Sequence, residues 1–198
     1  MARTRAIDFE DKRLAILKCA AGVFAKMGME KASMAQVAIE CNISKALLYH
    51  YYASKNALIF DIVHTHLNQL DEATKRVDRV KVLPEERLRL LVGEVLETYR
   101  DADDKHQVQL YGTRSLPAED LEQLRAIERR IVKRFSNVLR EINPSLDKKR
   151  PFLMPVTMSL FGMLNWVYMW FRQKGPISRE EYAELATTLI LNGLKSVK

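Results

Sequence analysis

SMAQVAIECNISKALLYHYYASKNAL, residues 33–58, decides how the chain folds at its N-terminal end. Met34, Val37, Ala38 and Cys41 recur at i, i+3, i+4 and i+7, which gathers them on one face of a helix over about Ser33–Cys41. Ser33 followed three residues later by Gln36 fits a capping box, a start signal for that helix. Asn42 sits where the chain must reverse, and Asn tolerates a left-handed backbone better than most side chains. Ile43 then plugs the turn, and Ser44 can cap a second helix, KALLYHYY. Ser54 starts a third helix at once. A helix, a turn of three or four residues and a second helix is the geometry that lays its second member into the major groove of DNA.

The second helix has the chemistry for that task. Lys45, Tyr49, His50 and Tyr51 crowd cationic and hydrogen-bonding groups into two turns. Leu48 and Tyr52, four apart, can hold the opposite face on a core. Ala46 is small enough for the backbone to approach a duplex closely. Lys55, in the first turn of the next helix, can meet a phosphate together with the unpaired N–H groups there. The alternative is a solvated helix whose tyrosines are packing residues. Agreement of turn, caps and spacing favours the DNA-reading face.

These residues resemble the TetR family of bacterial transcriptional regulators. The stretch Ile43-Ser44-Lys45-Ala46-Leu47-Leu48-Tyr49-His50-Tyr51-Tyr52 and the stretch Ser54-Lys55-Asn56-Ala57-Leu58 are similar to the family's second helix and the start of its next. Ile16, Leu17, Ala20, Ala21, Phe24 and Gly28 match its first helix and stop. The resemblance covers roughly residues 12–65. Asn42 and Ala46 replace the usual glycines and Leu47 the usual threonine, so no relative's operator sequence can be copied. The resemblance implies DNA contacts from Ser33, Ser44, Lys45, Ala46, Leu47, Tyr49, His50, Tyr51 and Lys55.

Charge agrees with a polyanionic partner. The chain carries a net charge of +7 in 198 residues, and residues 1–60 hold nine basic residues against five acidic ones. Arg3 and Arg5 lie on an expected flexible arm over residues 1–9, which could reach an adjacent groove or serve only as a solubilising tail. Cys19 and Cys41 fall in apolar helical stripes and are expected as buried free thiols. His64 and His66 point to different sides of one helix and His106 stands alone, so neither a metal nor a cofactor is expected. The N-terminus lacks an apolar signal core, which predicts a cytoplasmic protein.

Downstream, helical spacing predicts an all-α chain. Helices are expected from Ser54 to about Arg79, from Pro84 to about Tyr99, over about Lys105–Arg114, over Ala118–Ile142, over about Pro151–Lys174 and from Ser178 to Lys195. With the N-terminal three, that makes about nine helices. The expected domains are a helix-turn-helix DNA-binding domain at 1–54 and a helical effector-binding and dimerisation domain at 55–198. Residues 152–171 carry no charge and reach the length of a membrane span. Pro155, Thr157, Ser159, Gly162 and Asn165 argue instead for a helix buried on both faces, as in a dimer.

The resemblance implies a homodimer through the last two helices, a small-molecule effector and a near-palindromic double-stranded DNA operator. Candidate effector-pocket residues are Tyr99, Tyr111, Arg114, Asn165, Trp166 and Trp170. The run Gly162-Met163-Leu164-Asn165-Trp166, with Trp170-Phe171-Arg172, Gly175-Pro176 and Glu181, resembles a branch that responds to acyl-CoA thioesters. Such an anion would need a basic mouth, for which Arg114, Arg125 or Arg172 could serve. Regulation of efflux by hydrophobic drugs and non-specific architectural DNA binding are the alternatives. An enzyme is not expected, because nucleophile elbow, phosphate loop and paired-cysteine metal motifs are missing.

Overall fold

A computed structural model describes residues 2–148 and 151–197, with side chains from residue 9 onward. The described residues form helices and no strand. They group into two compact units, Met1–Leu67 with Asp101–Leu124, and Asn68–Arg100 with Arg125–Lys198.

The first unit is built on α1 (Ala2–Met27), α2 (Met34–Glu40), α3 (Lys45–Tyr51), the first part of α4 (Lys55–Asp78), α6 (Asp103–Gly112) and the start of α7 (Ala118–Ile142). Its core gathers Leu17, Ala20, Ala21 and Phe24 of α1 with Val37 and Ala38 of α2, Leu48 of α3, and Leu58, Ile59 and Ile62 of α4. Fully burying a Leu, Ile or Phe side chain stabilises by about 1.5–3 kcal/mol. Gly28 ends α1 with φ of +85°, the left-handed conformation that glycine adopts most readily. The arm expected over residues 1–9 instead continues α1 from Ala2, because the helical backbone runs on past its apolar stripe. The side chains of Arg3 and Arg5 lie outside the described residues.

The second unit holds the rest of α4 and α7 with α5 (Pro84–Thr98), α8 (Leu153–Asn165), α9 (Val167–Trp170) and α10 (Arg179–Leu194). Leu88, Leu91, Val92, Val95 and Leu96 make one buried stripe on α5, and Ala183, Ala186, Thr187 and Leu194 make one on α10. Phe135 of α7 meets Phe161 of α8 edge to face at 4.9 Å. Ser178 and Glu181 form the full reciprocal capping box on α10.

Two expectations are corrected here. The single helix expected over 151–174 breaks at Trp166 into α8 and four-residue α9, raising the helix number to ten among the described residues. The Trp166 N–H turns back to the Leu164 carbonyl, so the i to i−4 ladder is interrupted there. No described helix is long and apolar enough to cross a membrane. The second correction concerns the thiols. Cys19 and Cys41 are joined as a disulfide, with Cα atoms 5.7 Å apart, because the apolar stripes of α1 and α2 pack on each other and bring the two cysteines face to face.

Candidate nucleic-acid interface

The turn between α2 and α3 is fixed locally. Ser33 Oγ accepts the Gln36 N–H at 3.1 Å, and Ser44 Oγ accepts the Leu47 N–H at 3.0 Å. Only the first half of the capping box at Ser33 is made, because the Gln36 amide donates to Glu40 Oε1 at 2.9 Å instead of reaching back. Asn42 stands at φ of 51°, the left-handed region its position in the sequence requires. The Ile43 N–H donates to the Ala38 carbonyl at 3.0 Å, which closes the reversal.

α3 is anchored along one edge and open on the other. Leu48 is fully buried and Tyr52, at its C-cap, is nearly so. The Tyr52 hydroxyl donates to Asp61 Oδ2 of α4 at 2.7 Å, and Arg13 of α1 forms an ion pair with the same carboxylate. Burial, then the hydrogen bond to Asp61, pushes the Tyr52 phenol well above its ordinary range. Glu10 completes the cluster. A hydrogen bond from Arg13 holds its carboxyl below the usual carboxylate range. α1 and α4 are thereby tied to each other and to the C-cap of the reading helix.

Lys45, Ala46, Leu47, Tyr49 and His50 are exposed on the open edge, with Tyr49 at 45% of its full accessibility. The Lys45 ammonium lies 5.8 Å from the Tyr49 ring centroid. Tyr51 is half-buried, its ring stacked on Phe9 of α1 at 4.6 Å. Ser33 and Ser44 are exposed, with their hydroxyls used as caps. Lys55 is half-buried, and its ammonium donates to the Met29 carbonyl while lying 5.9 Å from the Phe24 ring centroid.

The residues proposed for an effector pocket fall in both units. Tyr111 and Arg114 line a cavity of about 610 Å³ with Met29, Lys55 and Ile59 in the first unit. In the second unit the buried Tyr99 donates its hydroxyl to Asn165 Oδ1 at 2.9 Å, while Trp166 and Trp170 are exposed. Trp170 meets Tyr182 edge to face at 4.8 Å. A separate cavity of about 700 Å³ in the second unit is lined by Arg125, Arg129, Lys133 and Arg140 alongside Val132, Leu153 and Met154. Those four cations recur along one side of α7, and only Arg125 among them stood out from the sequence.

Two buried polar clusters escaped the sequence reading. His66 of α4 and His106 of α6 are both buried, with ring centroids 6.3 Å apart. Burial, reinforced by His106 and Lys105, lowers His66 to a pKa of about 3. Asp71 accepts hydrogen bonds from Arg130 and Arg134 of α7. Burial would raise its pKa, but the two guanidinium groups outweigh that and hold it below the ordinary value. Partners 40 to 63 residues apart leave no local signature.

A capped turn, a second helix clamped by its buried edge and a cationic, hydrogen-bonding outer edge define a helix-turn-helix protein of the DNA-reading class. Residues 16–62 match the family described as bacterial regulatory proteins of the tetR family, and residues 81–194 match the tetracyclin repressor-like C-terminal domain. The chain belongs to the TetR family of transcriptional regulators, which are not enzymes. A TetR-family transcriptional regulator from Bordetella parapertussis 12822 is 32% identical, covers 96% of this chain and 98% of its own, and superposes with a TM-score of 0.87. The HTH-type transcriptional repressor KstR2 of Mycolicibacterium smegmatis is 23% identical and aligns over 92% of this chain and 90% of its own length. AibR, solved in complex with isovaleryl coenzyme A and operator DNA, shares the fold at a TM-score of 0.77 and 24% identity, over 89% of this chain and 96% of its own.

Proposed function

We propose that this regulator is a cytoplasmic homodimeric repressor whose two α3 helices read a near-palindromic operator and which a small-molecule effector releases. The exposed edge of α3 is the observation that carries this reading. Lys45, Ala46, Leu47, Tyr49 and His50 present charge, small size and hydrogen-bonding groups side by side, while Leu48 and Tyr52 fix the helix from behind. Ser33, Ser44, Tyr51 and Lys55 flank that edge and complete the contact set. In this reading the functional division falls at residue 54, with the reading head before it and effector binding and dimerisation after it, although the compact units divide the chain differently.

Dimerisation is supported by an apolar surface on α8, α9 and α10. Met154, Met158, Trp166, Met169, Trp170, Leu185 and Leu189 are all exposed. Such a run of large side chains on the last helices fits a two-fold contact with a second copy. Repression follows from seating: a dimer on a promoter blocks polymerase without further contacts, and KstR2 is itself named a repressor.

For the effector we propose an acyl-CoA thioester. The run from Gly162 to Glu181 supports this, as does the occurrence of a coenzyme A thioester in the AibR complex. The groove on α7 supports that chemistry: Arg125, Arg129 and Lys133 could take phosphates and Val132, Leu153 and Met154 an apolar chain, although Glu128 also lines it and Arg140 there is paired with Asp147 at 2.8 Å. Within the second unit Tyr99, Asn165, Trp166 and Trp170 remain candidate effector contacts, and Tyr111 and Arg114 remain separate candidates at the cavity of the first unit.

Selection of preferred duplexes from a random pool tests the reading. The expected product is one palindrome, bound at least ~10³-fold more tightly than bulk DNA, and released when acyl-CoA thioesters are added. Uniform affinity for all sequences would mean an architectural binder instead.

A further inference from the structure

We infer that Cys19 and Cys41 form a reversible thiol–disulfide modification site that sets how tightly the reading head holds its operator. The inference rests on the DNA-reading function proposed above. A protein that reads DNA in the cytoplasm works where thiols are kept reduced, and disulfides found there are usually transient or redox-sensing. Here the two cysteines bridge α1 to the C-cap of α2. Asn42, at φ of 51°, follows Cys41 directly, and Ser44 caps the reading helix two residues further on.

The location gives the bond leverage. α2 and α3 have seven residues each, too few to be stable alone. α2 buries Met34, Val37 and Ala38, and α3 buries Leu48 within its own span. A covalent tie at Cys41 removes freedom from the turn that aims α3. DNA binding then needs less ordering of the head, so the oxidised form binds more tightly.

The sulfurs are reachable. Cys19 and Cys41 are both half-exposed. Cys19 also lines a cavity of about 410 Å³ together with Lys18, Lys105, Asp101 and Asp104. The two lysines and two aspartates match in number, so this cavity provides access and not a strong net field.

The co-reactant is a low-molecular-weight disulfide. The Cys19 thiolate attacks one of its sulfurs, forming a mixed disulfide and expelling one small thiolate. The Cys41 thiolate then attacks the Cys19 sulfur, closing the protein bond and expelling the second. Two protein thiols and one small disulfide become one protein disulfide and two small thiols, with no other oxidant required. Excess dithiol runs the exchange backwards.

The test uses the full chain, equilibrated with oxidised glutathione or with dithiothreitol. Maleimide labelling of the denatured protein, read by intact mass, counts the thiols. Fluorescence anisotropy measures affinity for the selected operator. We expect no labelled thiol after oxidation and both cysteines labelled after reduction, with operator affinity about tenfold higher in the oxidised form, inside the roughly 5- to 150-fold range usual for coupled sites. Cys19→Ala and Cys41→Ala should each show a single affinity in both conditions. Equal affinity in the two states despite a changed thiol count overturns the control. Both cysteines still labelled after glutathione treatment overturn the modification site. Failure of either form to bind any duplex, with the thiol count responding normally, instead defeats the operator reading and the control with it.

Discussion

Tyr49 and His50 sit side by side on the open edge of α3, yet neither supports the fold from within, since both are exposed. Tyr49→Phe and His50→Ala should therefore leave thermal stability unchanged within about 0.5 kcal/mol. Each should cost about 1–3 kcal/mol on the cognate operator and less on random duplex, as loss of a base contact does. Competition binding with both duplexes checks this, and equal losses on the two would reassign these side chains to the backbone. Tyr52, three residues on from Tyr49, behaves oppositely. Its hydroxyl serves Asp61 beneath the helix, so Tyr52→Phe should lower stability by about 1 kcal/mol in denaturant unfolding. On the effector side, Arg125→Ala and Arg129→Ala should each weaken acyl-CoA affinity about tenfold, close to 1.4 kcal/mol, by titration calorimetry.

Among the elements, the turn between α2 and α3 was the most readable part of the sequence, because its determinants are local. Ser33, Asn42 and Ser44 act within a few residues of themselves, and each stands in the structure as its type requires. Asn42→Ala should destabilise by about 1 kcal/mol because an alanine Cβ is strained in the left-handed region, whereas Asn42→Gly should not. Chemical denaturation of the two variants separates conformational strain from any loss of the amide itself. Other elements were misjudged for reasons that are equally physical. Residues 151–174 read as one helix because hydropathy is continuous there and says nothing of the ladder breaking at Trp166. The cysteine bridge depends on two stripes 22 residues apart facing each other, which spacing within either helix cannot reveal. Leu185 and Leu189 of α10 lie at 49% and 57% exposure, so helical spacing predicts the helix without saying what covers all of its apolar side chains.

Taken whole, the molecule depends on pH through a group that none of the binding chemistry uses. His66 is lowered to about 3 by burial, whereas an unfolded histidine titrates near 6.5. Between those values the unfolded chain binds the extra proton, so stability present at neutral pH is lost as pH falls. The slope from this group is about 1.4 kcal/mol per pH unit below pH 6.5. Denaturant unfolding at pH 7 and pH 5 should show that loss, and His66→Leu should flatten it. Oligomeric state is the other property at this scale. Leu189→Glu places a charge on the exposed apolar surface of α10, and light scattering should find a monomer whose operator affinity collapses.

The Lys55 ammonium that rests on the Met29 carbonyl has one more effect. A neutral oxygen leaves its positive charge uncompensated, so a phosphate that captures it still expels a counterion. The contact with Met29 must be given up in the exchange. Removing the side chain should therefore flatten the plot of log affinity against log salt by about 0.9 per contact, yet lower affinity at physiological ionic strength less than loss of solvent-facing Lys45 does. Ionic-strength dependence and binding strength, which usually move together, separate at this one residue.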